Sequence, residues 1–380
     1  MLSISKEMGF KLYQQRLQSA NTAVFYYLFD KLTSLFIKSK PVKITSPKKI
    51  LIVRNDHIGD VVLCSQVYRE IKRVYPRSKI TALVSPVSAV LLEKNPHIDN
   101  LLTIDLFWRN KNLKSLRRYF GILKKIKSEK FDVGIDIRGS LLNIIFFLWM
   151  PNIKKRVSYF NTTGGKPFLT NPIEFKKIEH TIKFDADLVA KGLSFKIKDY
   201  WPEIVVDKSD EKEVNKFLFK NKLKNYICIC PGATSVKKQW PVRNFDKLMK
   251  KVKLKYKNYG VVVIGGEEDR DLVKHLCRGG RGIPLINFNL RLLSILFRKS
   301  KLVIANDGGP MHIAWVSGAK VLALWGPINL ETIRPLKRSL VIHHQDESAT
   351  SNNLMDLITL DEVEQKLNFL LKNDFTVPLN

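Results

Sequence analysis

From Lys48 onward, short apolar runs alternate with stretches whose apolar residues recur every three or four positions. The runs Ile50 to Arg54, Ile80 to Val84 and Phe131 to Ile137 read as buried strands. Helical spacing covers Val61 to Tyr75, Val87 to Lys94 and His180 to Leu193, the last preceded by polar, irregular sequence from Asn161 to Lys177. A second series begins after Trp201-Pro202. Its strands are Tyr226 to Cys230, Gly260 to Ile264, Leu302 to Ala305 and Val321 to Trp325, and its helices Val242 to Lys255, Asp269 to Cys277 and Pro310 to Ser317. Such alternation predicts parallel, doubly wound sheets. The expected fold class is therefore α/β, with two Rossmann-like domains facing a central cleft at the carboxyl ends of their strands. Val363, Leu367, Leu370 and Leu371 predict a closing helix over Leu360 to Leu371.

The first 47 residues follow a different pattern. Phe25, Leu28, Phe29, Leu32, Leu35 and Phe36 recur at helical spacing, with Lys31, Lys38, Lys40 and Lys43 within or just after them. This predicts a basic amphipathic helix, fit either to lie on an anionic membrane surface or to pack on the body of the protein. The longest apolar run, Leu141 to Met150, is about half the length a membrane span needs. No secretory signal pattern is read at the N-terminus, and the expectation is a soluble or peripheral protein.

A length of 380 residues exceeds what one core ordinarily supports, and 45% hydrophobic with 26% charged residues is a globular balance. Charge adds something pattern does not. With 65 Lys+Arg against 35 Asp+Glu the formal charge is +30, a field that attracts nucleic acid, anionic membranes or phosphorylated substrates. Part of it is local, since Arg109 to Lys130 holds nine basic residues and one acid, Glu129. Cys64, Cys228, Cys230 and Cys277 form no CxxC pair, so neither a disulfide framework nor a shared metal site is expected, and a reducing cytoplasm is favoured.

Four strand-to-helix connections carry candidate chemistry. Arg54-Asn55-Asp56-His57-Ile58-Gly59-Asp60 follows the first strand; Gly59 allows a tight turn, and Asp60 at a helix start is placed to act as a general base or merely to cap the helix. Pro231-Gly232-Ala233-Thr234-Ser235-Val236-Lys237-Lys238 offers small and hydroxyl residues plus a lysine to phosphate oxygens, without Walker spacing. In Asn306-Asp307-Gly308-Gly309-Pro310-Met311-His312, a glycine pair lets a pyrophosphate approach a helix N-terminus, with Asp307 and His312 beside it. Gly265-Gly266-Glu267-Glu268-Asp269 places acids beyond a strand end, where ribose hydroxyls bind. Asp185-Ala186-Asp187 imitates a metal-binding DxD, but residues two apart on a helix do not share a face.

These segments together resemble glycosyltransferase family 9, the heptosyltransferases that extend the lipopolysaccharide inner core. The resemblance spans roughly residues 48 to 371 and rests on ILIVRNDHIGDVVLCSQVYREIKRVYP, FDVGIDIRGSL, PGATSVKKQWPVRNF, VVVIGGEED and VIANDGGPMHIAWVSGAKVLALWGP, in that order. It implies a GT-B fold divided as residues 1–47, a basic extension; 48–202, the acceptor-binding domain; 203–345, the nucleotide-sugar domain; and 346–380, a C-terminal helical segment. Asp60 is implied as catalytic base of an inverting transfer from ADP-heptose, with Gly59 and Arg138 toward the acceptor. Thr234, Ser235, Lys238, Asp307, Gly308, Gly309 and His312 fall on the donor loops, and Glu268 or Asp269 on the ribose. No metal or other cofactor is implied. The implied partners are the nucleotide sugar, an anionic glycolipid and the cytoplasmic face of the inner membrane. The first 47 residues precede the family's usual first strand, and Pro231 stands where several members carry histidine. The same fold also serves other nucleotide sugars and acceptors, such as capsule, O-chain or protein. A nucleic-acid-binding protein built on the charge is the reading from another class, and no recognised module supports it.

Overall fold

A computed structural model describes residues 20–105, 113–175, 179–326, 330–344 and 354–373. The first 19 residues of the extension, Arg109 and Lys111 of the basic cluster, and much of the segment after residue 345 lie outside the described residues. Two compact units divide the chain, Met1–Trp201 and Pro202–Asn380.

The first unit opens with helix α1 (Ala20–Thr33) and strand β1 (Lys49–Arg54), then α2 (Ile58–Leu63), α3 (Gln66–Val74), β2 (Lys79–Val84), α4 (Pro86–Ala89) and β3 (Asn100–Thr103). There follow α5 (Leu113–Glu129), β4 (Val133–Asp136), α6 (Leu141–Asn143) running into a π-helical turn (Ile144–Trp149), β5 (Lys155–Tyr159), β6 (Asn171–Ile173) and α7 (Thr181–Leu193). The sheet order is β3-β2-β1-β4-β5-β6, and every neighbouring pair is parallel. Alternate residues of β1 feed opposite cores. Ile50 and Ile52 pack with α3 and α7, while Leu51 and Val53 pack with α5 and the π turn.

The second unit contains α8 (Lys208–Lys220), β7 (Tyr226–Cys230), α9 (Val242–Lys255), β8 (Gly260–Gly265), α10 (Arg270–Cys277), β9 (Ile283–Ile286), α11 (Leu290–Lys299) and β10 (Leu302–Asn306). It ends with α12 (Gly309–Val316), β11 (Val321–Trp325), α13 (Leu330–Ile333), β12 (Ser339–His343) and α14 (Leu360–Lys372). Its order, β12-β11-β10-β7-β8-β9, is the same topology as the first sheet, again parallel throughout. In both sheets the strand order reverses between the first and fourth strands of the unit: β1 beside β4, and β7 beside β10. That switch point is where open α/β sheets leave a crevice for ligand.

Several expectations change. The helix expected from Val61 to Tyr75 is two helices, because Ser65 N–H and Oγ both donate to the Val62 carbonyl in a tighter i to i−3 turn. Val87 to Lys94 is helical only through Ala89. The irregular stretch from Asn161 contains strand β6. Gly59 sits buried in the first turn of α2, and its φ is not among the positive ones, so no tight turn depends on it. All four cysteines are buried free thiols. No helix among the described residues is long and apolar enough to cross a membrane.

Candidate active site

In the first unit the switch point is built around Arg54, the last residue of β1. Its guanidinium is 2% exposed and reaches three carboxylates: Asp56 Oδ1 at 3.2 Å, Asp60 Oδ1 at 3.1 Å and Asp185 Oδ2 at 3.3 Å. Burial opposes its charge, but the fields of Asp185, Asp56 and Asp60 outweigh burial and hold its proton more firmly than usual. One cation cannot fully compensate three anions. Asp56 shows the shortfall: burial pushes its carboxyl up to about 6, against the opposing pull of Arg54 and Arg138.

Asp60 differs from its two partners in exposure. Asp56 and Asp185 side chains are 7% and 1% exposed, whereas Asp60 is 30% exposed. It stands in the first turn of α2, where the backbone N–H groups favour a carboxylate. Its Oδ1 is held by Arg54 and its Oδ2 lies 3.4 Å from His57 Nδ1. Asp60, His57, Asp56 and Arg138 line a cavity of about 790 Å³, together with Ser140 and Thr163. Arg138 sits 3.9 Å from Asp56 Oδ2. Behind this wall, Asp136 at the end of β4 accepts from Asn143, and the Asn143 and Asn55 amides bond to each other at 3.0 and 3.1 Å. These buried pairs fix the loop that follows β1, and the end of β4, to helix α6.

Asp185 and Asp187 point apart. The first is buried against Arg54, and the second accepts from Tyr200 Oη at 2.6 Å. Among the described residues no cluster of three or more His, Cys, Asp or Glu is arranged to hold a metal ion.

In the second unit two loops meet at the β7/β10 switch point. Asn306 staples them: its Nδ2 donates to Pro231 O at 2.6 Å, and its Oδ1 accepts from Trp240 N at 3.2 Å. Lys238 Nζ is thereby brought 2.7 Å from Asp307 Oδ2, and His312 Nε2 lies 3.8 Å from Asp307 Oδ1. Trp315 Nε1, which can only donate, bonds to His312 Nδ1 at 3.3 Å. The neutral ring must then carry its proton on Nε2, facing Asp307. Thr234 and Ser235 are exposed on the first loop, and Ser235 makes no capping hydrogen bond.

Gly308 has an extended φ of −170° that any residue could adopt. A Cβ placed there would meet nothing nearer than 3.9 Å. Its lack of a side chain is therefore not demanded by the protein's own packing; it leaves the N-terminal face of α12 open. Gly232 is different, because a Cβ there would collide with the carboxylate of Asp269. Asp269 in turn accepts from Gly266 N at 3.1 Å. Glu267 is engaged by Arg270 and by Asn287, at 2.6 and 3.1 Å, while Glu268 is exposed beyond the end of β8.

The sequence drew attention to the loops but not to the role of Asp185, nor to the Asp136–Asn143–Asn55 chain. The signal available for Asp185 was a lone acid on the apolar face of a helix, which demands a buried cationic partner.

The profile of glycosyltransferase family 9 (heptosyltransferase) matches residues 119–357. Lipooligosaccharide heptosyltransferase 2 of Haemophilus ducreyi is 24% identical over 362 residues, covering 85% of this chain and 99% of that one. Among solved structures, a glycosyl transferase family 9 protein of Veillonella parvula superposes with a TM-score of 0.72 at 21% identity, over 86% of this chain and 98% of that one. The ADP-heptose lps heptosyltransferase II of E. coli gives 0.71 at 20% identity, over 85% and 98%.

Proposed function

The chain belongs to glycosyltransferase family 9, with the two-unit α/β architecture of the GT-B fold, and on that premise we propose that it transfers heptose from ADP-heptose to a hydroxyl of the lipopolysaccharide inner core, inverting the anomeric centre, with Asp60 as general base. The observation that carries the chemistry is Asp60 itself. It is the one carboxylate of the Arg54 cluster that is substantially exposed in the cavity, with one oxygen held by Arg54 and the other 3.4 Å from His57 Nδ1.

Asp60 takes the proton of the acceptor hydroxyl as its oxygen bonds to the anomeric carbon, and the bond from that carbon to the ADP oxygen breaks with the electron pair going to ADP. The charge that develops on the departing diphosphate is met by Lys238, by the hydroxyls of Thr234 and Ser235, and by the N–H groups of Gly309 and Met311 in the first turn of α12. Asp307 holds Lys238 in place through their 2.7 Å ion pair. Asp307 and the Nε2–H of His312 then face the sugar and its adjoining phosphate. Glu268, with Asp269, takes the ribose hydroxyls, since Glu267 is already engaged by Arg270. Arg138 provides positive charge at the rim of the acceptor cavity for a carboxylate or phosphate of the acceptor, while Gly59, buried in the first turn of α2, supports Asp60 from behind rather than lining that cavity. On this reading the enzyme works on the cytoplasmic face of the inner membrane.

Calorimetric titration with ADP, UDP and GDP, followed by transfer assays with the matching sugars, tests the donor. Preference for ADP and ADP-heptose is expected. Preference for a uracil or guanine nucleotide would remove the heptose assignment and leave a family 9 enzyme for another sugar or acceptor.

A further inference from the structure

The family profile begins at residue 119, yet α1 is built into the first unit. Asp30, 7% exposed, accepts from the N–H groups of Gly165 and Lys166 at 2.7 and 3.2 Å. Phe29 stacks on Phe168, and Tyr26 packs on the same core. These anchors fix the rotation of the helix about its axis. The rotation they fix presents Val24, Phe25, Leu28 and Leu32 outward, continued by Leu35 and Phe36 in the following turn. Leu32, Leu35 and Phe36 are 59%, 67% and 82% exposed, far more than one folded protein needs to leave in water.

The patch does not stand alone. α1, α5 and the π turn all pack on the same face of the first sheet. Apart from Val87, every exposed large hydrophobic residue described in the first unit lies on or beside these elements, including Phe120, Leu142, Trp149 and Met150. Charge is arranged to match. Residues 20 to 48 contain five lysines, all exposed, and one acid, Asp30, which is turned inward. Lys31, Lys38 and Lys166 rim an apolar cavity of about 590 Å³ beside α1. Apolar side chains surrounded by lysines suit the boundary between acyl chains and anionic headgroups, where each lysine adds attraction and each apolar side chain adds burial.

One further contact ties this face to the chemistry. Phe25, Tyr26 and Phe29 of α1 line the same cavity as Asp60 and Arg138. We propose that α1 and the turns beside it form a docking surface for an anionic phospholipid bilayer, which seats the Asp60 cavity at the headgroup level so that a lipid-anchored acceptor reaches the base without leaving the membrane. The part concerning the acceptor rests on the transferase reading above; bilayer binding itself does not.

The test uses the full chain and vesicles containing about one-third phosphatidylglycerol, compared with pure phosphatidylcholine. The wild type should co-sediment with the anionic vesicles and much less with the neutral ones. Leu32→Asp combined with Phe36→Asp, both outside the Asp60 cavity, should lower partitioning by at least about tenfold. Lys38→Gln with Lys40→Gln and Lys43→Gln should lower it on anionic vesicles by roughly 10-fold to 100-fold. Turnover on a delipidated, soluble acceptor should stay unchanged in both variants, while turnover on vesicle-embedded acceptor falls with partitioning. Equal partitioning of wild type and variants would overturn the proposal. So would a lipid-free dimer, seen by sedimentation, that the Leu32/Phe36 variant splits into monomers, because the face would then be covered by a second copy. Absence of any transfer by the wild type to the soluble acceptor would instead refute the assigned reaction, with the vesicle result standing on its own.

Discussion

Arg54→Met isolates the physical basis of the acceptor-side half-site. The substitution keeps most of the side chain's volume and removes the single cation shared by Asp56, Asp60 and Asp185. Asp185, at 1% exposure, then loses the guanidinium from the interior, Asp56, at 7%, keeps the more distant Arg138 at 3.9 Å, and Asp60 at 30% can still be reached by water. Removing one member of a buried ion pair costs about 3–5 kcal/mol, because the remaining charge keeps its desolvation penalty. For a unit of this size that corresponds to a fall in Tm of roughly 10 °C, given about 2–4 °C per kcal/mol. The pH dependence gives a second handle. Without Arg54 the Asp56 carboxyl, which burial already holds up at about 6, is pushed higher still, so its contribution to stability is complete below its unfolded pKa near ~3.9 and is lost as pH rises through the folded value. The deficit relative to wild type should be small near pH 4.5 and reach its full size by pH 7.5. Differential scanning calorimetry at these two pH values measures it, following the first unit's transition, and adding Asp185→Asn should recover part of the loss. A deficit below about 1 kcal/mol at pH 7.5, or one that does not change with pH, would refute the reasoning.

Other consequences are open to simpler measurements. In the wild type, burial holds Asp56 up to about 6, so its contribution to stability is present below its unfolded pKa and is lost as pH rises through about 6. Asp56→Asn should flatten that part of the urea-denaturation profile, by about 3 kcal/mol at most. Lys238→Ala should weaken ADP binding by roughly 10-fold to 100-fold in calorimetry, and adding Asp307→Asn should restore part of it, since Asp307 at 2% exposure would otherwise face the diphosphate uncompensated. Activity should survive EDTA, and Asp187→Asn should leave turnover within about twofold, because that carboxylate serves Tyr200 rather than Arg54.

The central strands were legible because parallel strands covered on both faces read as continuous apolar runs: Leu51 to Val53, Ile227 to Ile229 and Leu302 to Ala305 are all completely buried. The edges were not. β3, Asn-Leu-Leu-Thr, and β6, Asn-Pro-Ile, are short, half-exposed and mixed in polarity, and only pairing with a neighbour makes them strands. α8 also escaped notice, although Asp207 and Asp210 form a capping box at its start. Its residues are largely polar, with Asp210 and Val214 the buried ones. At the candidate site, glycine and proline at strand ends identified the loops. What those loops touch could not be read in the same way. The partner that Arg54 meets in Asp185 lies more than a hundred residues away, and no local pattern encodes a contact of that range. In α1 the sequence left lipid contact and packing on the protein as alternatives; the structure has Asp30 and Phe29 on the protein while Leu32 and Phe36 face outward.

The most direct test of the account is the turnover of Asp60→Asn with saturating ADP-heptose and a soluble inner-core acceptor, measured beside its Kd for ADP. The amide keeps the shape and, through its oxygen, the hydrogen bond from Arg54, but it cannot take the acceptor's proton. Turnover should fall by roughly 100-fold to 10,000-fold with ADP affinity within about twofold of wild type. Turnover equal to wild type would contradict the assignment of Asp60 as the base.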